Sequence, residues 1–446
     1  MTEEQLRPKW VGIGSVIFGL VVVLGLAGGV GTLLWHHFGP KGPSANETFF
    51  GTTLPRWWIA RAKSKPTKVD IYAELPDPAL EEPLRRIEAS FPDAAGVAAE
   101  AIGLNEAIRQ AKLPYWIDVS ERRGFPVIMS FEVQRRDEWR VGDELAEVLL
   151  AARVDHTNVV AAFSGKMGGD SPVVLVDSLE RVIIHDLSAK PTKNPVEKLR
   201  HRWRTAWAEA RSAPGATEAA REALAERERA ILKLERGPKR NLRVDRPERF
   251  RLPISWTHSL KELTELDEGP GVLRYRDLHR VIEVSEKLMD GPSGQALEAL
   301  LELDEDVGSA HEAFIALDFG SADAPSPPEL ERYHEGGSES IRRGAKAHLR
   351  AGLGAIRYGR SPPCAALLRM LRAAAGDHVR YTAWHYGSMA AIHMLMGEAE
   401  LEPVALAEWA EEICEDPEAL RASAGAALER LGVPAATLVS GKSDES

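Results

Sequence analysis

Cysteine is almost missing from this chain: Cys364 and Cys414 are the only two in 446 residues. Two thiols are too few for the disulfide framework of a small secreted domain. Both fall in apolar, helix-like stretches, so they read as buried thiols and not as a bridge. Cysteine usage therefore leaves the compartment open. Net positive charge is absent too. The formal charge is −11, which excludes the molecule as a whole from binding polyanions.

Recognisable catalytic spacings are also lacking. His311-Glu312 and His334-Glu335 begin an H-E-x-x-H pattern, but Ile315 and Ser338 stand where the second histidine belongs. No zinc-protease site follows. There is no Cys-x-x-Cys pair and no G-x-S-x-G elbow. The stretch Gly165-Lys166-Met167-Gly168-Gly169 lacks the order of a phosphate loop and reads as a hairpin loop between two strands. No cofactor is expected.

The chain is 44% hydrophobic and 28% charged, enough for two or three globular units with real cores. From Val11 to Leu34 it runs without a charge. A helix needs about 20 apolar residues to cross a bilayer. Trp10 and Trp35 bracket the run where indoles favour the headgroup layer. A cleaved signal peptide is the competing reading, but its apolar core is usually about 7–15 residues. Residues 10–38 are therefore expected to be a single-pass anchor behind a tail at 1–9. Arg7 and Lys9 outweigh Lys41, which puts the N-terminus in the cytoplasm and the bulk of the chain outside. Frequent Ala and Arg with little Lys point to a GC-rich bacterial genome, hence a bacterial cell membrane. Gly25 and Gly29 form a G-x-x-x-G pair, which fits either a homodimer seam or ordinary membrane-helix glycine.

Residues 39–66 read as a Gly- and Pro-rich linker. Within it, Trp57 and Trp58 suit either the bilayer surface or the first core contact of the next unit. Residues 67–190 read as an α+β domain with an antiparallel sheet. A short strand is expected at Val69–Tyr72 and helices at 78–91 and 96–112. Strands at 115–119 and 126–133 precede a helix at 140–153, and strands at 158–163, 172–177 and 181–187 follow. In 126–133, alternating Val127, Met129, Phe131 and Val133 mark a half-buried strand. This element order resembles that of profilin-like, roadblock-like and PAS-type sensor domains, which implies a binding module. Residues 191–238 read as a helical hairpin, with Asn194 as N-cap, Pro195 at the first position, and Val196, Leu199, Trp203 and Trp207 as the apolar stripe.

Residues 239–270 form a basic connector, and 271–435 a mainly helical domain before a disordered tail at 436–446. Ile341-Arg342-x-x-Ala345 recurs as Val379-Arg380-x-x-Ala383 and Leu420-Arg421-x-x-Ala424. The last two follow acidic turns and helix-like stretches at 363–374 and 403–414. This pattern resembles HEAT-like repeats, which have two helices in about 40–47 residues. The resemblance covers roughly 330–435 and implies an α-solenoid with a concave protein-binding face. An irregular helical domain is the alternative.

Two side-chain groups stand out. His378, His385 and His393 share one side of a helix expected at 377–396, but they are about 10–12 Å apart along its axis. A polar-aromatic packing face with Tyr381, Trp384 and Tyr386 therefore competes with a metal site. Arg240, Arg243, Arg246, Arg249 and Arg251 make a basic strip, while residues 398–418 carry acids and no lysine or arginine. The strip reads as a solvated face or as a docking site for an acidic partner. No aromatic-basic interleaving points to nucleic acid. The functional expectation is a membrane-anchored scaffold, adaptor or sensor with a protein partner. The alternative is a membrane-tethered enzyme with its site between the α+β and helical domains.

Overall fold

The computed structural model describes residues 44–446, leaving out 68, 123, 142–143, 155–171, 189–192, 237–271, 318–325, 333–337, 376–381, 398–401, 434–438 and 443–446. Residues 46–446 form one compact unit. Among the described residues, no helix is long and apolar enough to cross a membrane. This corrects the expected fold class, the single-pass assignment and the cell-membrane location, which all rested on residues 10–38. That segment, with Trp10, Trp35, Gly25 and Gly29, lies outside the described residues. The fold is instead a five-stranded sheet combined with many helices.

The segment read as a linker is core. Phe49–Thr53 forms a π-helical turn that continues into α1 (Leu54–Ala62). Phe49, Phe50, Leu54, Trp57 and Trp58 are all buried. Phe50 stacks on Tyr115 at 4.2 Å, and Phe91 meets the edges of both indoles. Trp58 Nε1 donates to the Pro126 carbonyl at 3.2 Å, so an aromatic cluster fastens α1 to the sheet. The strand expected at Val69–Tyr72 is a 3-10 turn at Ile71–Ala73, held by Asp70 accepting from the Tyr72 amide. The next two helices are α2 (Glu81–Ser90) and α3 (Ala94–Gln110), the latter capped by Asp93.

The sheet consists of β1 (Tyr115–Arg122), β2 (Phe125–Val141), β3 (Glu144–Arg153), β4 (Val173–Leu175) and β5 (Val439–Lys442). The first three form an antiparallel meander, and β4 joins β3 in parallel. β2 is long enough to pair with β1 along its first half and with β5 along its second. Part of the stretch expected to be a disordered tail is therefore a strand.

The helix expected at 140–153 is β3. Its Ala, Leu and Glu favour helix, but the partner strand decides. Ala146, Val148 and Leu150 face the helical core, while Leu149 and Ala151 pack with Met129 and Phe131 on the other side. Conversely, the strand expected at 181–187 belongs to α4 (Val176–Ser188). Its β-branched residues suit a strand, yet Leu179, Ile183, Ile184 and Leu187 are spaced as a helical stripe and are buried together. The strand at 158–163 and the glycine loop at 165–169 lie outside the described residues.

The remaining helices are α5 (Pro195–Arg211), α6 (Ala216–Arg236), α7 (Val272–Met289), α8 (Gly291–Ala316), α9 (Glu339–Tyr358), α10 (Pro363–Ala375), α11 (Ala383–Met396), α12 (Pro403–Cys414) and α13 (Pro417–Arg430). The hairpin α5–α6 starts as expected, with Asn194 accepting from Val196 and Glu197. The α+β and helical parts do not separate: Trp139, Val148, Leu150 and Val174 share one core with α8 through α13. α8 touches β2, β3, β4 and most of the surrounding helices. α9 packs against α8, and the missing Cβ of Gly354 makes room for the Phe314 ring, which a side chain there would meet at 2.6 Å.

Cys364 and Cys414 are joined, which corrects the reading as buried thiols. They lie in separate helices, and tertiary packing sets the first turn of α10 beside the last residue of α12. The cross-link spans 50 residues and contributes roughly 4 kcal/mol on a chain-entropy estimate.

An edge strand offers unpaired backbone to other chains, and β1 lies at the edge of the sheet. Asn105 of α3 covers it. Its Nδ2 donates to the Ile117 carbonyl, and its Oδ1 accepts from the Ile117 amide, both at 2.8 Å. The carboxamide thus stands in for a residue of a further strand. Replacing it should strand two buried backbone groups, each costing about 1–3 kcal/mol. Asn105→Leu is therefore expected to lower the urea-unfolding free energy by about 2–6 kcal/mol. A loss under 1 kcal/mol would show that the bidentate contact contributes little.

Candidate functional site

α8 is buried on nearly every side, yet Asp304, Glu305, Asp306, Ser309, His311 and Glu312 follow one another within three turns. Ionisable groups removed from water must be paired, and each of these turns meets a different partner element.

The innermost part joins three helices. Arg204 of α5 grips Asp304 bidentately at 2.6 and 2.7 Å. The same guanidinium lies 3.0 Å from Asp186 of α4. Arg200 holds Asp186 bidentately from one turn away, at 2.6 and 2.5 Å. Asn194 and Pro195 start α5 so that residues 200 and 204, one turn apart, point to the same neighbours. Burial alone would raise the Asp186 carboxyl, but Arg200 and Arg204 hold it well below the usual carboxylate range. Burial opposes charge on Arg204 also, and Asp304 and Asp186 overcome it.

A second cluster sits where β2 meets the next faces of α8. Arg135 donates to Asp137 at 3.0 and 3.2 Å, to Glu305 at 3.0 Å and to Asp306 at 3.4 Å. Arg360 approaches Asp137 at 3.7 Å and lies over the Trp139 ring, whose Nε1 donates to Ser309 at 2.7 Å. Burial outweighs the attraction of Arg135 and pushes Glu305 up to about 7. Asp306 is raised for the same first reason.

The third part is a histidine pair. His311 Nε2 and His348 Nδ1 of α9 are 3.1 Å apart, with their rings stacked. One must donate and the other accept, so at least one of the two is neutral. Burial, His348 and the Arg369 charge hold His311 well below its usual range. Burial and Arg369 push His348 down to about 4.

Of the three histidines singled out, His385 and His393 are described. His378 lies outside the described residues. His385 Nδ1 is 2.9 Å from the Ala373 carbonyl of α10, while His393 faces Arg332 at 3.4 Å. Among the described residues no group of three His, Cys, Asp or Glu side chains could hold a metal. The basic strip from Arg240 to Arg251 also lies outside them. Of the repeated arginines, Arg421 donates to the carbonyls of Ile356, Arg357, Gly359 and Ser361, tying α13 to the end of α9. The network along α8 went unread although its signal was present. Asp304 stands seven residues before His311 and eight before Glu312, a spacing that puts the three on one face of the helix. No family model, curated protein or solved structure matches the chain.

Two expectations follow. Removing one partner of a buried ion pair costs about 3–5 kcal/mol, whereas replacing both with apolar groups is often near neutral. Asp304→Leu alone should therefore destabilise strongly, and adding Arg204→Met should restore much of the loss. Additive losses in the double-mutant cycle would show that the pair is not coupled.

The second concerns pH. A buried carboxyl with a raised pKa binds a proton in the fold that the unfolded chain has already released. The stability it brings is complete below about 4.5 and is lost as pH rises through about 7. His348 acts oppositely: its contribution is complete above about 6.5 and is lost as pH falls towards about 4. Glu305→Gln removes only the first effect. Relative to the unaltered chain it should gain up to about 3 kcal/mol between pH 5 and pH 8. Parallel stability curves for the two proteins over that range would rule the assignment out.

Proposed function

We propose that this chain is a protein-binding module that works as a scaffold, adaptor or sensor. The observation that carries the reading is the closed ionic network along α8. Its strongest charges are engaged with one another at the junction of sheet and helices, the place the enzyme alternative assigns to its site. The C-terminal helices add support. α9 packs broadly on both α11 and α13, and α10 packs on α11 and α12. α12 presents Glu408 and Glu412 to solvent on one face, beside the exposed Val404. Paired helices of this kind supply extended faces for partner proteins, as the HEAT-like resemblance implies.

The full chain, used as bait in native extracts, should retain one partner at near-stoichiometric yield. That partner, purified separately, should rebind the chain with a measurable Kd. The Glu408→Lys/Glu412→Lys variant should weaken the rebinding if the α12 face contributes. Failure of every selectively captured protein to rebind in purified form would end the proposal.

A further inference from the structure

The N-terminal half of α8 borders a cleft of about 260 Å³ that lies apart from the ionic network. Its apolar wall is Ile183 of α4 with Leu297 and Leu301 of α8. Met289, the last residue of α7, is 45% exposed over the opening. The turn between the two helices explains that position. Gly291 takes φ +60°, and a Cβ on Gly294 would fall 2.0 Å from the Met289 carbonyl oxygen, so only glycine lets α7 close down on α8 here.

The charged lining is of one sign. Glu180 is buried in the wall, and Glu298 stands exposed at the rim. Among the described residues, no lysine or arginine lines the cleft. The buried Arg227 attracts Glu180 and donates to Ser285 at 2.8 Å. Glu298 has no hydrogen-bond or ion-pair partner among the described residues. The cleft thus combines an aliphatic wall, an adaptable thioether at the opening and one uncommitted carboxylate.

We propose that the cleft binds a small amphipathic organic cation, an alkyl chain that ends in a protonated amine. The volume sets the size. A benzene ring enters a cavity of about 150 Å³, and sites for drug-sized ligands begin near 300 Å³. A short alkyl chain lies between these limits. The chain fills the space between Ile183, Leu297 and Leu301, and the ammonium sits at Glu298. This binding is independent of the protein-binding reading, and it gives a module of that kind a small molecule to respond to.

The test uses the full chain with ¹³C-labelled methionine methyl groups, titrated with butylammonium, pentylammonium, hexylammonium and hexanoate. Of the eight methionines, Met289, assigned through Met289→Leu, should show a saturable shift with the amines. Affinity should rise about fourfold for each added methylene, the value of burying one CH₂. Hexanoate should leave the Met289 resonance in place. Glu298→Gln should weaken amine binding by about two- to fivefold. Glu302→Gln, exposed one turn further along α8 and outside the cleft, should not. Both substitutions are on the surface, so the fold is retained. No saturable shift at Met289 with any amine overturns the proposal. So does equal binding of hexanoate, or equal weakening by the two glutamine variants, which would mark diffuse attraction to an acidic protein.

Discussion

Arg204 meets two carboxylates at once, Asp304 on α8 and Asp186 on α4, while Arg200 donates to both oxygens of Asp186. None of these four groups can be left alone in the interior, because an uncompensated buried charge costs several kcal/mol. The consequence is geometric. Bidentate pairs tolerate little rotation or sliding, so α4, α5 and α8 are held in one register. α8 then meets the sheet at a defined height, which is what allows Arg135 of β2 to reach Glu305 and Asp306. The same placement brings His311 against His348. The hydrophobic core supplies most of the attraction, and the ionic contacts join the same elements through defined side-chain pairs.

The N-terminal part solves a different problem. β1 is an edge strand between an aromatic cluster and a helix, and it is closed by one carboxamide. Asn105 satisfies both outward backbone groups of Ile117, so the edge is capped without a further strand. At the opposite end of β2, the chain returns at β5 to pair with residues 137–140. One long strand therefore has its two halves covered by segments more than 300 residues apart in sequence. The division into an α+β domain and a later helical domain breaks down here, since elements from both ends of the chain complete a single sheet.

The elements that were legible are those with a local cause. Asn194-Pro195 announces α5 because an N-cap and a proline act within one turn. The alternation from Val127 to Val133 announces β2, although both faces of that strand are covered and not one. Local cause misleads at 140–153 and at 181–187. The first carries helix-favouring residues but is paired on one side with β2 and on the other with β4. The second carries β-branched residues, but its buried positions are spaced for a helix packed on α8. In each case, side chains from distant elements outweigh propensities worth a few tenths of a kcal/mol per residue. The linker reading failed for a related reason. Phe49, Phe50, Trp57 and Trp58 sit among glycines and prolines, and composition drew attention away from four large aromatic side chains that need burial.

The sequence by itself determined the helices with strong caps and stripes, the strand pair at 115–119 and 126–133, and the absence of the familiar catalytic spacings. It also placed aspartate, histidine and glutamate at helical spacing in α8. Tertiary structure alone decided what those residues face. The carboxylates of residues 304–306, three in a row, gain their partners only when Arg204 and Arg135 arrive from 100 and 170 residues away. The disulfide and the cleft beside Met289 follow the same rule. Each depends on which helix ends come together, and that is set by the packing of whole faces, not by any local run of residues.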